Sequence, residues 1–324
     1  MGESVKLGVF SVLLGSKPFE QALDQIVNLG LEAVEIGTGA YPGNAHADPR
    51  ALLGSDKRLK AFREAISSRG LIISALSCHG NPLHPNKRIA REHHEIFLQT
   101  LELAKRLNVT RVITFSGCPA ADPKGTQPNW IVAPWPPEFA EALEWQWKTQ
   151  VTPYWQDAAK ACRDAGVRVA IEMHPNFVVY NPETMNRLRS IAPKVIGCNF
   201  DPSHMFWQGI DPVLAIRAIG DGVVHVHAKD CRIDDANTRV NGVLDQKKYT
   251  DELNRAWIFR TVGYGNSALV WKDIVSTLRL VGYDHVISIE HEDSVMSAEE
   301  GLKKAVAFLR DVLVAAPKGE AYWA

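Results

Sequence analysis

Four short apolar stretches, Ala170-Ile171-Glu172, Cys198-Asn199-Phe200-Asp201, Val224-His225-Val226-His227 and Ile287-Ser288-Ile289-Glu290, each end on a side chain able to bind a metal ion. A carboxylate or imidazole at the C-terminal tip of a buried strand is poorly solvated and needs a partner. Any one of these acids alone could close a structural salt bridge. The three acids together without a cation would repel one another strongly, so the set of four tips implies one shared ion and an enzyme built around it.

Working outward from these tips, strand-like runs alternate with amphipathic helical segments along the chain, which predicts βα units and a parallel sheet. Eight units are legible. Strands at 6–12, 33–36, 71–76 and 111–115 precede helices at 18–29, 57–68, 88–107 and 137–165, the last kinked or split by Pro153. Strands at 168–171, 195–200, 223–226 and 285–289 precede helices at 182–191, 211–219, 271–281 and 298–314. Gly30, Gly70, Gly166 and Gly282 stand where helices stop.

Eight right-handed crossovers can close a barrel, in which chemistry collects at the strand C-termini. The expected architecture is α/β: a single (β/α)8 TIM barrel over residues 1–324 with extended βα loops at the C-terminal face and 315–324 as a tail. The rival, an open doubly wound sheet, would scatter the four tips along a line. No short fixed repeat suggests a solenoid. Connections at 37–56, 116–136 and 228–270 exceed the usual length and suit walls or lids. The second carries Trp130, Pro134, Trp135, Pro136 and Pro137, a stiff apolar wall that could stack on a sugar ring or pack on a neighbour.

At 324 residues, 46% hydrophobic and 23% charged, the chain has ample material for a large core. A formal net charge of -1 provides no global field for nucleic acid or an anionic membrane, so neither partner is expected. The five cysteines are scattered and show no CxxC spacing, which argues against disulfides or a cysteine zinc site and fits a reducing cytoplasm. Met1-Gly2-Glu3-Ser4-Val5-Lys6 lacks a signal peptide's apolar core and, with Lys6, a myristoylation signal. No stretch has the length of a membrane span.

Three carboxylates and one imidazole, Glu172, Asp201, Glu290 and His227, suit Mn²⁺, Mg²⁺ or Co²⁺ with positions left open for a chelating substrate; Zn²⁺ is also possible. His204 follows Asp201 by one helical turn, His174 shares a strand face with Glu172, and His79 ends the third strand. All three are candidates for substrate hydrogen bonds, as is Lys229 in the run His227-Ala228-Lys229-Asp230, and each could instead satisfy loop or barrel groups.

Glu172, Asp201-Pro202-Ser203-His204, His227-Ala228-Lys229-Asp230 and Ile289-Glu290-His291-Glu292, in this order, resemble the xylose-isomerase-like TIM-barrel superfamily of sugar isomerases and epimerases, inosose dehydratases and endonuclease IV-type repair enzymes. The resemblance covers essentially the whole chain. Its ketose 3-epimerases imply one Mn²⁺ on Glu172, Asp201, His227 and Glu290, the two glutamates as acid and base on opposite faces of the substrate, His204 as a sugar contact and Arg232 near a substrate-binding arginine. Residues 173–178 lack the second glutamate of those epimerases. The repair enzymes' extra histidine after strand four is absent from Phe115-Ser116-Gly117-Cys118, which, with the near-neutral charge, disfavours DNA repair. Relatives often read His where Asn266 stands, leaving a natural variant or an inactivating substitution as alternatives.

The implied reaction is proton transfer beside a carbonyl through a metal-stabilised enediolate, giving epimerisation or isomerisation of a sugar. A leaving group at the β carbon converts the same machinery into a dehydratase or lyase on a keto-sugar or 3-keto-glycoside, including C-glycoside deglycosidase-like activity. A non-catalytic sugar-binding subunit is a further alternative. A homo-oligomer or a small partner subunit fits the exposed aromatic loops.

Overall fold

The computed structural model describes residues 5–314, 316, 319–321 and 323. Met1 to Ser4 lie outside the described residues, as does part of the expected tail at 315–324.

The first half of the chain runs β1 (Lys6–Phe10), α1 (Phe19–Asn28), β2 (Ala33–Gly37), α2 (Pro49–Leu53), α3 (Asp56–Ser67), β3 (Ile72–Ser77), α4 (Lys87–Leu107), β4 (Arg111–Phe115), α5 (Pro137–Trp145) and α6 (Thr152–Ala165). The second half runs β5 (Arg168–Glu172), α7 (Pro182–Arg189), β6 (Ile196–Phe200), α8 (Ser203–Phe206), α9 (Pro212–Ile219), β7 (Val223–Ala228), β8 (Asp230–Ile233), α10 (Asp235–Asn241), β9 (Trp257–Arg260), α11 (Ala268–Leu280), β10 (Val286–Ile289) and α12 (Ala298–Val312). Eight strands pair in parallel and close in the order β1-β10-β7-β6-β5-β4-β3-β2, so the sheet is a (β/α)8 barrel surrounded by helices.

Alternation along β5 shows how the sequence directs its faces. Val169 and Ile171 join the large core beneath the helices. Ala170 faces the other way, into a small cluster with Ala75, Ile113 and Val224, and Glu172 follows two residues on along that same face. The lateral register then sets Glu172 beside Asn199, Asn199 beside His225, and His227 beside Ser288. Side chains separated by over a hundred residues meet because their strands are neighbours in a closed ring.

Two expectations change in detail. The helix expected at 137–165 is split by a π-helical turn, Gln146–Val151, placed before Pro153 rather than at it. Proline has no N–H to give to the carbonyl four residues earlier, and the wider turn absorbs the mismatch. The connection at 228–270 is not merely a loop, because β8 and β9 pair antiparallel within it and α10 lies between them. The alternation of buried Trp257 and Phe259 with half-buried Ile258 and Arg260 carried that signal in the sequence.

Among the described residues, no helix is long and apolar enough to cross a membrane.

Candidate active site

The four tips converge. One ligand atom from each of Glu172, Asp201, His227 and Glu290 lies within 4.8 Å of every other. His227 Nδ1 is 2.9 Å from Glu290 Oε2 and 3.2 Å from Glu172 Oε2. Ligand atoms about 3 Å apart span the edge of an octahedron with bonds of about 2.1 Å, the spacing of a small divalent cation. Asp201 Oδ1 accepts the Ser203 N–H at 2.9 Å, whereas its buried Oδ2 has no hydrogen-bond partner among the described residues. That oxygen lies 3.0 Å from the Lys229 ammonium and 3.4 Å from His204 Nε2, and a donor set of carboxylates with one imidazole also fits a divalent ion.

Lys229 enters the same cluster. Its buried ammonium lies 3.0 Å from Asp201 Oδ2, 3.0 Å from Glu290 Oε2 and 3.0 Å from Glu292 Oε2. The contact to Asp201 is therefore ionic without hydrogen-bond geometry. Burial disfavours the charge on Lys229, but Asp201, Glu290 and Glu292 outweigh it and hold the pKa well above the ordinary lysine value. One ammonium faces the carboxylates of Glu172, Asp201, Glu290 and Glu292, so the cluster keeps an excess of negative charge for a further cation.

Glu35, on β2, was not singled out in the sequence. It is fully buried, and both of its oxygens accept from His227 Nε2 at 3.0 Å. Ser77 Oγ donates to Glu35 Oε1 at 2.6 Å. A carboxylate behind a ligating imidazole fixes its orientation and raises its basicity. Burial opposes a charge on His227, yet Glu35 and Glu290 prevail and raise its pKa well above normal. Glu35 stands inside the run Ala33-Val34-Glu35-Ile36 rather than at its tip, and a buried acid within an otherwise apolar strand was the available signal. Asn199 is a second such residue: its Nδ2 donates to Glu172 Oε2 at 2.8 Å, and its Oδ1 accepts from His225 Nδ1 at 2.9 Å. Burial and the neighbouring His227 push His225 well below the ordinary histidine range, so it is a neutral part of this scaffold.

The expected sugar contacts divide into two groups. His79 Nε2 is 3.0 Å from Glu172 Oε2, and His204 Nε2 is 3.5 Å from Glu172 Oε1 and 3.4 Å from Asp201 Oδ2. Both ring nitrogens of buried His204 lack a hydrogen-bond partner among the described residues. His174 lies against His204 with ring centroids 4.2 Å apart, and burial together with His204 pushes its pKa down to about 3. Burial would raise the pKa of Glu172, but His79, His204 and His227 hold it well below the carboxylate range. Desolvation likewise opposes the charge on Glu290, and Lys229 and His227 overcome it. Both glutamates are therefore held ionised.

Arg232 and Trp135 fall outside this group. Arg232 is exposed on β8 and donates to the Gly265 carbonyl at 3.4 Å. Alternation explains it, since buried Cys231 precedes it in the hairpin. Trp135 is 76% exposed, and it is Trp130 that lines a cavity beside the site. Asp230 faces away from the ligand set and ties a knot: Oδ2 accepts the N–H groups of Gly263 at 2.9 Å and Asn266 at 3.0 Å and the Trp271 indole at 3.1 Å. Asn266 Nδ2 donates to Asp230 Oδ1 at 2.7 Å, so in this chain Asn266 anchors the hairpin to the start of α11. A Cβ at Gly265 would overlap the Asp230 carboxylate and the Cys231 carbonyl, which is why glycine stands there.

The cavity above the cluster has a volume of about 180 Å³ and is walled by Phe10, His79, Phe115, His174, Lys229 and both glutamates. A larger groove of about 620 Å³ lies on the outer surface between α4 and α6, away from these groups.

Residues 23–312 match the sequence profile of the xylose isomerase-like TIM barrel, and the chain belongs to that family. It is 38% identical over 312 residues to the uncharacterised protein YfiH of Bacillus subtilis, covering 95% of this chain and 99% of that one. A shorter stretch is 31% identical to the inosose dehydratase of Geobacillus kaustophilus, covering 24% of this chain and 25% of the enzyme. Among solved structures, the probable 3-DHS dehydratase AsbF of Bacillus anthracis superposes with a TM-score of 0.67 at 15% identity over 94% of this chain and 99% of its own. A D-tagatose 3-epimerase-like protein gives 0.61 at 21% over 95% and 98%. The zinc-bound IOLI protein gives 0.66 at 17% over 95% and 98%. These structural likenesses establish the fold, and the proteins that carry it include named epimerases and dehydratases.

Proposed function

We propose that the protein is a divalent-metal-dependent sugar isomerase or epimerase that moves a proton at the carbon next to a carbonyl. The single observation that carries this reading is the convergence of Glu172, Asp201, His227 and Glu290 at the strand tips of the barrel. These four residues would hold the ion, with Mn²⁺ the first choice for an oxygen-rich set containing one imidazole. The cation supplies Lewis-acid polarisation of the sugar carbonyl.

The chain's own residues carry the proton. Glu172 and Glu290 are both held ionised at rest, so one takes the proton from the carbon while the other, first charged with a proton from water or a sugar hydroxyl, protonates the opposite face; the first then gives its proton to the hydroxide or alkoxide left behind. His79, His204, His174 and Lys229 hold the sugar's hydroxyl groups. Phe10 and Phe115 wall the cavity and keep bulk water off the reacting carbon.

A second reading, dehydration or lyase chemistry, is favoured by one feature: the Lys229 ammonium is 3.0 Å from Glu290 Oε2 and could steady a departing hydroxyl or alkoxide. The partial likeness to an inosose dehydratase points the same way.

The test is deuterium exchange. Mn²⁺-loaded protein incubated in D₂O with a panel of ketoses, inososes and keto-glycosides is expected to label the carbon beside the carbonyl of at least one of them, followed by NMR. Glu172→Gln and Glu290→Gln should each lower the rate at least a hundredfold, as for loss of a general base. Exchange without bond cleavage supports the epimerase, and loss of water or aglycone supports the lyase. No exchange with any of them would defeat the proposal.

A further inference from the structure

A second cavity, of about 320 Å³, opens beside the first and shares His174 with it. The catalytic cavity alone falls below the roughly 300–1,000 Å³ of small-molecule sites, whereas the two joined fall within that range. Its chemistry differs from that of its neighbour. Trp207 and Trp257 stack with ring centroids 4.8 Å apart and planes 7° from parallel. Tyr249 meets Trp257 edge-on at 6.0 Å, and Trp130 and Gln246 complete the wall.

The wall is held rigidly. Trp257 Nε1 donates to the Val243 carbonyl at 2.9 Å, and the buried Arg255 guanidinium lies 4.3 Å from the Tyr249 ring and 4.7 Å from that of Trp257. The buried indole N–H groups of Trp130 and Trp207 have no hydrogen-bond partner among the described residues. The Trp207 and Trp257 indoles stack on each other and, with Trp130 and Tyr249, give the cavity an aromatic lining, which matches a ring that bears oxygen atoms. Among the described residues no lysine or arginine lines this cavity, so a phosphate or carboxylate there would meet no cation.

We infer that the substrate is an uncharged glycoside: the sugar carrying the reacting carbonyl lies over Glu172 and Glu290, and a ring joined to it lies on the Trp207–Trp257 wall. The inference rests on the proposed function for the place of the reacting sugar. The occupant's shared chemistry is a flat ring bearing oxygen, and either a second sugar or a phenolic aglycone supplies it.

The test compares methyl glycosides with phenyl glycosides and with disaccharides of the same sugar, in the gluco and galacto series. Calorimetry on the full-length, Mn²⁺-loaded protein reads the affinities, with metal content determined on the same samples. At least one ring-bearing ligand should bind at least tenfold more tightly than its methyl counterpart. Phenyl glycosides gaining alone identifies an aromatic aglycone, and disaccharides gaining alone identifies a second sugar. Trp257→Ala should abolish the gain. Tyr249→Ala, at a position 55% exposed and safer for folding, should reduce it at least threefold. Equal affinities, a gain untouched in both variants, or no binding by any of these sugars overturns the inference. If Mn²⁺ binds and the ring adds nothing, the glycoside inference alone falls. If Mn²⁺ does not bind, the reading beneath it falls as well.

Discussion

Glu35 holds the imidazole of His227 from behind: its two oxygens lie 3.0 Å from Nε2, while Nδ1 at the other end of the ring faces Glu172 and Glu290. The arrangement assigns one nitrogen to the scaffold and leaves the other for an ion. Replacing Glu35 with Gln keeps the shape and removes the charge. Mn²⁺ affinity, read by titration calorimetry, should fall about 10- to 100-fold while the barrel's circular dichroism stays the same. Unchanged affinity would mean that Glu35 serves packing alone.

Most of the barrel was legible because its signals are local: period-two alternation in strands, helical periodicity, and glycine stops. Gly166, for example, closes α6 in the left-handed conformation at φ 70°. The four tips that form the candidate metal cluster were legible because a titratable group ending an apolar run is unusual. Glu35 and Asn199 were not, since their roles depend on which strands become neighbours in the closed ring. The exposed position of Arg232 and the aromatic wall contributed by Trp207 and Trp257 follow from the β8–β9 hairpin, a long-range pairing within what reads as a loop.

Lys229 and a metal ion compete for the same oxygens. Lys229→Met removes an ammonium 3.0 Å from Asp201 and 3.0 Å from Glu290, so divalent-ion affinity should rise about tenfold, well within the few kcal/mol of such a contact at an effective dielectric near 20. Deuterium exchange should fall in the same variant, because under the proposed function Lys229 would also hold the sugar. A variant that binds Mn²⁺ no more tightly would show that the lysine does not compete with the metal.

Acid should weaken the fold through half-buried His285. Burial and Arg111 hold His285 at about 4, below the unfolded value of about 6.5. A depressed folded pKa means that the unfolded chain binds the proton first. This contribution is therefore complete above pH 6.5 and is lost as pH falls from there toward 4. His285 Nε2 donates to the Ser74 carbonyl at 3.0 Å, a bond that glutamine can keep. Over that interval His285→Gln should flatten the dependence of unfolding free energy on pH by up to about 1.4 kcal/mol per pH unit. Denaturant melts at pH 7, 5.5 and 4.5 would read it, and parallel slopes for both proteins would contradict it.

The thiols should be silent in the folded protein. All five cysteines are free and buried, and burial pushes Cys78, Cys118 and Cys162 up to about 12. A disulfide reagent such as DTNB at pH 8 should label none of them in the native state within an hour and all five in guanidinium chloride. A rapidly reacting native thiol would contradict the burial.

The most direct test is the metal stoichiometry of the purified protein after dialysis against Mn²⁺. One ion per chain is expected, with a rise of several degrees in Tm at saturating Mn²⁺ and affinity at least a hundredfold lower in Glu172→Gln and Glu290→Gln. No bound ion and an unshifted Tm with millimolar Mn²⁺, Mg²⁺, Co²⁺ or Zn²⁺ would contradict the account, leaving Lys229 as the cation of this cluster.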